Sequence, residues 1–408
     1  MAVSGLVPGV PVGWFGFDRR QRVPEFRDDP FVVFNRLREE VPVHNTPQGE
    51  LRLFRYEDVT RVLRDTKVGV RTTEGLLPGV DESEFGVRRF LLQQDPPNHT
   101  RLRRLVSRAF TPPAIAAMRP HVQALVDGLL DRVAQQDEMD VIADLARPLP
   151  STVICEMLGV PLSDRELFTD WTADVTHLLQ PTLMDEPQRT RTFEAAINLW
   201  EYMSELVETR RKSLGDDMLS VLIRAEEEGD RLSHEEVVIH GIGLLVAGFE
   251  TTIGLVGNGL RQLLLHPQEL AKLRARPELI ASAVEECLRF DGPIIGTLRV
   301  LHEEAEFGGH LFPANTPVMV CLAAAQRDPK VFPNPDTFDI ERQSSAHLAF
   351  GGGVHFCLGA HLARLEAQVA IGSIVTRFQH MTLLSERLRW GKSLFRIQEA
   401  LPVRLHGD

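Results

Sequence analysis

Over most of the chain, apolar residues recur every three to four positions, the spacing that gives a helix one greasy face. Such stretches predict helices at about 57–65, 98–110, 114–135, 163–180 and 189–213. Two shorter runs, Val41–Asn45 and Glu50–Tyr56, flank the turn Pro47-Gln48-Gly49 and predict a hairpin. The strongest signal begins at Ser233-His234-Glu235-Glu236, where a serine followed three residues later by glutamate can satisfy the first free amides of a helix. Its periodicity continues to His266, and Pro267 stops it. About thirty residues at about 1.5 Å each give about 45 Å, enough to cross the whole protein. A further helix at about 277–290, strand signals between 297 and 320, an irregular stretch Arg327–Arg342, a glycine loop and a last long helix from Cys357 to Arg377 follow. The class is mainly α with small sheets. With no repeat, low-complexity block or linker, residues 1–408 read as one folded unit whose β-rich parts lie at about 41–56 and 297–320.

The most apolar stretch, Ile242 to Leu260, approaches membrane-span length, but Glu250, Thr251, Thr252 and Asn258 interrupt it. Polar groups of that kind predict a buried core helix rather than a span. No signal peptide or anchor is read in Met1–Arg20, which Pro8, Pro11 and several glycines break up. The 43% hydrophobic content is ordinary for a globular protein. A formal charge of -12 gives no support to nucleic-acid binding. The four cysteines, Cys155, Cys287, Cys321 and Cys357, are scattered and form no CxxC pair, which points to reduced thiols in the cytoplasm rather than a zinc site or disulfide framework.

One cysteine stands in unusual surroundings. The segment Phe350-Gly351-Gly352-Gly353-Val354-His355-Phe356-Cys357-Leu358-Gly359-Ala360 places three glycines ahead of it and expects a helix to open at it. Glycines permit φ > 0 and close backbone approach, and a helix N-terminus favours a thiolate. On these grounds alone Cys357 could equally be a small buried hydrophobe after a glycine turn. The complete pattern Phe-Gly-x-Gly-x-His-x-Cys-x-Gly, however, resembles the haem-binding loop of the cytochromes P450, with every defined position matched. The resemblance implies haem b with Cys357 on its iron, and O2 as co-substrate; thiolate ligation in this family favours O–O cleavage. It implies a helical prism with small β-sheets and the haem between the long central helix and the helix after the cysteine loop. Phe350 and Gly359 are carried over as cofactor-binding residues of that loop.

Mid-way along the long helix lies Ala247-Gly248-Phe249-Glu250-Thr251-Thr252. Locally, threonines bonded to their own preceding turn would explain a kink here. The segment also resembles the family's oxygen-binding groove, which implies that Ala247 and Gly248 make space at the cofactor, that Thr251 hydrogen-bonds bound dioxygen and that Glu250 relays protons. Glu286-Cys287-Leu288-Arg289 sets two charges on one helix face, either as an ordinary solvated pair or, by resemblance, as a structural ion pair with Arg342. His99, Arg103, Arg299 and His355 match haem-propionate positions; each singly could be a surface cation. Gln326 stands where Asn is commoner.

Arg101, Arg104 and Arg108 add positive charge along one helix of an acidic chain, a docking surface for an acidic electron donor, in this class a separate ferredoxin. By position in the resembled fold, Leu91, Leu92, Leu178, Leu179, Leu244, Ile294, Ile295 and Phe395 line a substrate pocket, although core packing would place them equally well. An apolar pocket suits a hydrophobic small molecule: a terpene, steroid, fatty acid, polyketide or aromatic compound. The expected activity is hydroxylation or epoxidation by a monomeric, cytoplasmic monooxygenase. A peroxide-driven oxygenase and a non-catalytic haem-thiolate ligand binder are the alternatives, and the intact Glu250–Thr251 pair speaks against both.

Overall fold

The computed structural model describes residues 29–46, 49–74, 90–179, 184–227, 232–343, 346–387, 389–391, 393 and 395–406, without the side chains of 108, 109, 226 and 227. In chain order the elements are α1 (Phe31–Glu40), β1 (Val43–Asn45), β2 (Leu51–Leu53), α2 (Tyr56–Arg64), β3 (Val68–Gly69), α3 (Asn98–Val106), α4 (Pro112–Ala117), α5 (Arg119–Val133), β4 (Glu138–Asp140) and α6 (Pro148–Leu158). Then come α7 (Phe168–Val175), α8 (Glu186–Arg211), α9 (Met218–Glu227), α10 (His234–Leu265), α11 (Pro267–Ala275), α12 (Ile280–Asp291), β5 (Thr297–Leu301), β6 (Ala305–Phe307), β7 (His310–Phe312) and β8 (Pro317–Val320). The last are α13 (Leu322–Ala325), α14 (Ala360–Arg377), β9 (Thr382–Leu383) and β10 (Pro402–Arg404).

The long helix forms as its caps dictate. Ser233 Oγ accepts from Glu236 N at 3.2 Å and Glu236 Oε2 from Ser233 N at 2.8 Å, and the helix runs 32 residues before Pro267. It is long and apolar enough to cross a membrane by composition, yet it is largely buried against α6, α8, α12 and α14. It is the core's axis, as its polar interruptions predict.

Elsewhere the chain is cut more finely than periodicity suggests. The predicted 114–135 helix is two, α4 and α5, because Pro120 opens a new helix just past Met118. The 98–110 and 163–180 predictions end or begin in 3₁₀ turns around α3 and α7. The hairpin strands are shorter than expected, since Tyr56 already begins α2, and its turn residues 47–48 lie outside the described residues. Among the described residues five helices, α1, α6, α9, α11 and the single turn α13, escape the periodicity. For α6 the reason is plain: eight of its eleven residues are buried, so no polar face marks its period.

The main sheet has the order β1-β2-β8-β5-β3, with β2 parallel to β8 and the other pairs antiparallel. Leu51, Leu53, Val318 and Val320 bury one of its faces. A second sheet joins β4, β10 and β9, so that Pro402–Arg404 pairs with Glu138–Asp140, far back in the chain.

Candidate active site

The cysteine loop is built by local geometry. Gly353 has φ +64°, and a Cβ there would run into the Leu63 carbonyl of α2, so only glycine fits. Phe356 N donates to Gly353 O at 3.1 Å, and Cys357 N donates to Phe350 O at 2.9 Å, which closes the loop. Gln326 Oε1 accepts from Leu348 N at 3.1 Å, so the longer amide holds the start of this segment. The helix begins at Ala360 rather than at the cysteine, with Gly359 as its N-cap.

Cys357 is the one cysteine that is not fully buried; the other three are core residues whose thiols burial pushes up, Cys155 and Cys321 to about 12. Burial also raises the Cys357 thiol, against the pull of the Gly359 amide and of Arg103 and Arg364. Its thiolate therefore needs an adjacent cation. No group of three or more His, Cys, Asp or Glu side chains suited to a metal exists among the described residues, so a metal held here takes one protein ligand and the rest from its own ring.

Around the cysteine converge basic side chains from three elements. His99 and Arg103 come from α3, Arg299 from β5 and His355 from the loop. The two imidazole rings lie 4.4 Å apart, and none of their four nitrogens has a hydrogen-bond partner. Burial, then His355 and Arg103, pushes His99 down to about 4, and burial lowers Arg299 to about 10. The nearest carboxylate, Asp95, stops 3.9 Å from His355 Nε2 and is held by the amides of Val70 and Arg71 at 3.0 and 3.1 Å. Two guanidinium groups and two unpartnered imidazoles with so little counter-charge are costly to bury. The cluster is a cradle for anionic carboxylates, and with a lone cysteine beside it the residues fit an iron porphyrin bearing two propionates.

On the facing side, Ala247 is exposed although it sits mid-way along a buried helix. Gly248 does not open toward this space: a Cβ there would meet Ile154 Cδ1 at 2.9 Å, so the glycine lets α6 approach α10. Thr251 is half-exposed and its hydroxyl donates to the Ala247 carbonyl at 2.9 Å. Glu250 is buried, and burial lifts its carboxyl to about 7 against hydrogen bonds from Ser393 and Thr172 and the field of Arg147.

The sequence matches the family model Cytochrome P450 over residues 21–388. This chain belongs to the cytochrome P450 family. It is 40% identical over 403 residues to Cytochrome P450 107B1 of Saccharopolyspora erythraea, with 96% of each chain covered. It is 38% identical over 411 residues to 6-deoxyerythronolide B hydroxylase of the same organism, covering 94% of this chain and 99% of the relative. Among solved structures it resembles P450BioI in complex with hexadec-9Z-enoic acid ligated acyl carrier protein, with a TM-score of 0.86, 36% identity and 94% and 99% coverage. The P450 is accordingly a haem b-dependent monooxygenase that uses O2.

Other expected residues fall in separate places. Arg289 grips Glu286 with two bonds of 2.7 Å and Arg342 Nε joins at 3.2 Å; Glu286 and Arg289 are buried, Arg342 is half-buried, and the two arginines donate to backbone carbonyls between Pro333 and Thr337. Arg101 is engaged by Glu236 at 2.8 Å, Arg104 is exposed, and the Arg108 side chain lies outside the described residues. Of the pocket candidates, Leu91 and Leu244 are core residues, Leu92 and Leu179 are exposed, and Leu178, Ile294, Ile295 and Phe395 are half-buried. Ile294 and Ile295 pack on different core clusters. Much of the 71–94 region expected to line the pocket, and Leu394, lie outside the described residues.

Sequence reading missed Asp95, Thr172, Ser393 and a brace on the cysteine loop. Arg364 of α14 grips Glu285 of α12 at 2.7 and 2.8 Å and lies 4.5 Å over the Phe350 ring, while His347 meets the same carboxylate at 2.8 Å. Burial works against ionisation of Glu285, but those two partners hold it at about 2.

Proposed function

We propose that this P450 inserts one oxygen atom from O2 into a hydrophobic small molecule, by hydroxylation or epoxidation, with electrons from a separate ferredoxin-type protein. The observation that carries this reading is Glu250: a buried carboxyl that burial lifts to about 7, one residue from a half-exposed threonine and three from exposed Ala247. Haem, when bound, supplies the activation of dioxygen and the transfer of one oxygen atom. The chain supplies the remainder. Cys357 ligates the iron through sulfur, Phe350 O fixing its amide and the Gly359 amide easing charge on the sulfur. His99, Arg103, Arg299 and His355 hold the propionates. Glu250 stores a proton at its carboxyl oxygen, and Thr251 orients dioxygen once its hydroxyl turns from Ala247. Arg289, Glu286 and Arg342 serve folding and haem retention.

The mostly aliphatic pocket candidates support an apolar substrate, in line with a relative named 6-deoxyerythronolide B hydroxylase and a neighbour solved with hexadec-9Z-enoic acid ligated acyl carrier protein. The enzyme works as a monomeric unit of residues 1–408 in the cytoplasm, with exposed Arg104 on the donor-docking face. Product formation with ferredoxin, its reductase and NAD(P)H, compared with peroxide alone, tests the reading. Turnover should depend on the electron-transfer proteins; equal turnover with peroxide would favour the peroxide-driven alternative.

A further inference from the structure

Two cations reach the Cys357 sulfur with their fields, Arg103 and Arg364, and they are held in different ways. Arg103 belongs to the cradle proposed for the propionates, so its counter-charge is the cofactor's own. Arg364, in the second turn of α14, is held by the protein. Its Nε donates to Glu285 Oε1 at 2.7 Å and its Nη2 to Glu285 Oε2 at 2.8 Å, the two-pronged geometry that fixes a guanidinium in place and in plane. His347 reinforces the grip. Its Nδ1 accepts the Ala349 amide at 3.3 Å, so Nε2 carries the ring proton and donates to Glu285 Oε2 at 2.8 Å. Burial opposes ionisation of Glu285, yet His347 and Arg364 hold it at about 2, so the carboxylate that anchors the arginine stays charged.

The guanidinium also lies 4.5 Å over the Phe350 ring, and the Phe350 carbonyl accepts the Cys357 amide at 2.9 Å. Arg364 is therefore tied to the backbone on which the sulfur is mounted, unlike a surface cation that wanders in solvent. A positive charge fixed within reach of a thiolate draws electron density from it and favours added negative charge at a metal behind it. Glu286, next in sequence to Glu285, binds Arg289 and Arg342 instead, so adjacent glutamates of α12 serve different segments.

We propose that Arg364, anchored by Glu285 and His347, is a positioning residue for the thiolate whose fixed charge raises the reduction potential of the haem iron and eases entry of the first electron. This rests on Cys357 being the iron's ligand. The electron comes from the ferredoxin-type donor and reduces ferric to ferrous iron; no bond is made or broken.

Spectroelectrochemical titration of the substrate-free holoenzyme tests the assignment. Arg364→Gln, polar but uncharged, should shift the ratio of reduced to oxidised iron at a fixed potential about fivefold toward oxidised, the scale of one half-screened unit charge. Arg364→Lys keeps the charge without the fork and should recover most of that shift. Both variants should retain the thiolate-type band of the reduced carbon-monoxide complex. An unmoved ratio in Arg364→Gln, or a shift toward reduced iron, would overturn the assignment. So would a shift in Arg364→Lys as large as in Arg364→Gln, because the fork's geometry rather than its charge would then be at work. Arg364→Met carries the same reading if Arg364→Gln does not retain haem. A thiolate-type band that survives Cys357→Ser would instead defeat the ligand assignment itself, a separable failure.

Discussion

Burial treats two glutamates alike and leaves them different uses. Glu250 is lifted to about 7 beside hydroxyl groups, while Glu366, in α14 behind the cysteine loop, is lifted to about 8 with its Oε2 unpartnered. If Glu250 donates the proton, the fraction of reductant appearing as product should fall as pH rises through about 7, measured as product per NAD(P)H consumed. Thr251→Ala should lower that fraction about tenfold or more and release peroxide instead, with reductant still consumed. Glu366 bears on stability. Its folded pKa lies above its unfolded value, so between about 4.5 and 8 the unfolded chain has lost a proton that the folded chain keeps, and stability drains away as pH climbs. Glu366→Gln should therefore gain on wild type across that window, by a few kcal/mol at pH 8 and above, read from denaturant unfolding. The cysteine loop was legible beforehand because its eleven residues are contiguous. Thr172, Ser393 and Asp95 were not, because they reach Glu250 and His355 only through tertiary packing, and single threonines, serines and aspartates carry no local mark.

At the level of elements, a buried polar seam fastens the segment that bears Phe395 to the back of α10. Asp291 at the end of α12 accepts from Arg396 Nη2 at 3.0 Å and from Gln262 Nε2 at 2.9 Å. Asn258 donates to the Arg396 carbonyl at 2.9 Å and accepts from Gln398 at 3.0 Å. Asp291→Ala removes the buried carboxylate to which Arg396 and Gln262 donate, and should cost about 3–5 kcal/mol in an unfolding titration. Gly353→Ala meets both a positive φ and the Leu63 carbonyl, and should lose haem on gel filtration while the far-ultraviolet helical signal persists. The long helix was readable because it carries its own start and stop; α6, with eight of eleven residues buried, was hidden by that very burial.

For the whole molecule, a net charge of -12 sets the background against which any electron donor approaches. If the donor is acidic and docks at α3, the electron-transfer rate should fall as salt rises, and Arg104→Glu should slow it about tenfold at low ionic strength with the haem spectrum unaltered. Arg101, half-buried on Glu236, should matter less there than its sequence neighbourhood implies. The α-rich class was evident from periodicity, but the pairing of β10 with β4 was not, since three-residue strands so far apart have no signature in one dimension. That pairing has a consequence for biosynthesis. Arg396 seals the seam behind the central helix, and Pro402–Arg404 supplies the middle strand of the second sheet. A nascent chain still threaded through the ribosome therefore lacks both fasteners, however much helix it has formed. The second sheet can therefore form only after residue 404 has emerged, late in the order of synthesis.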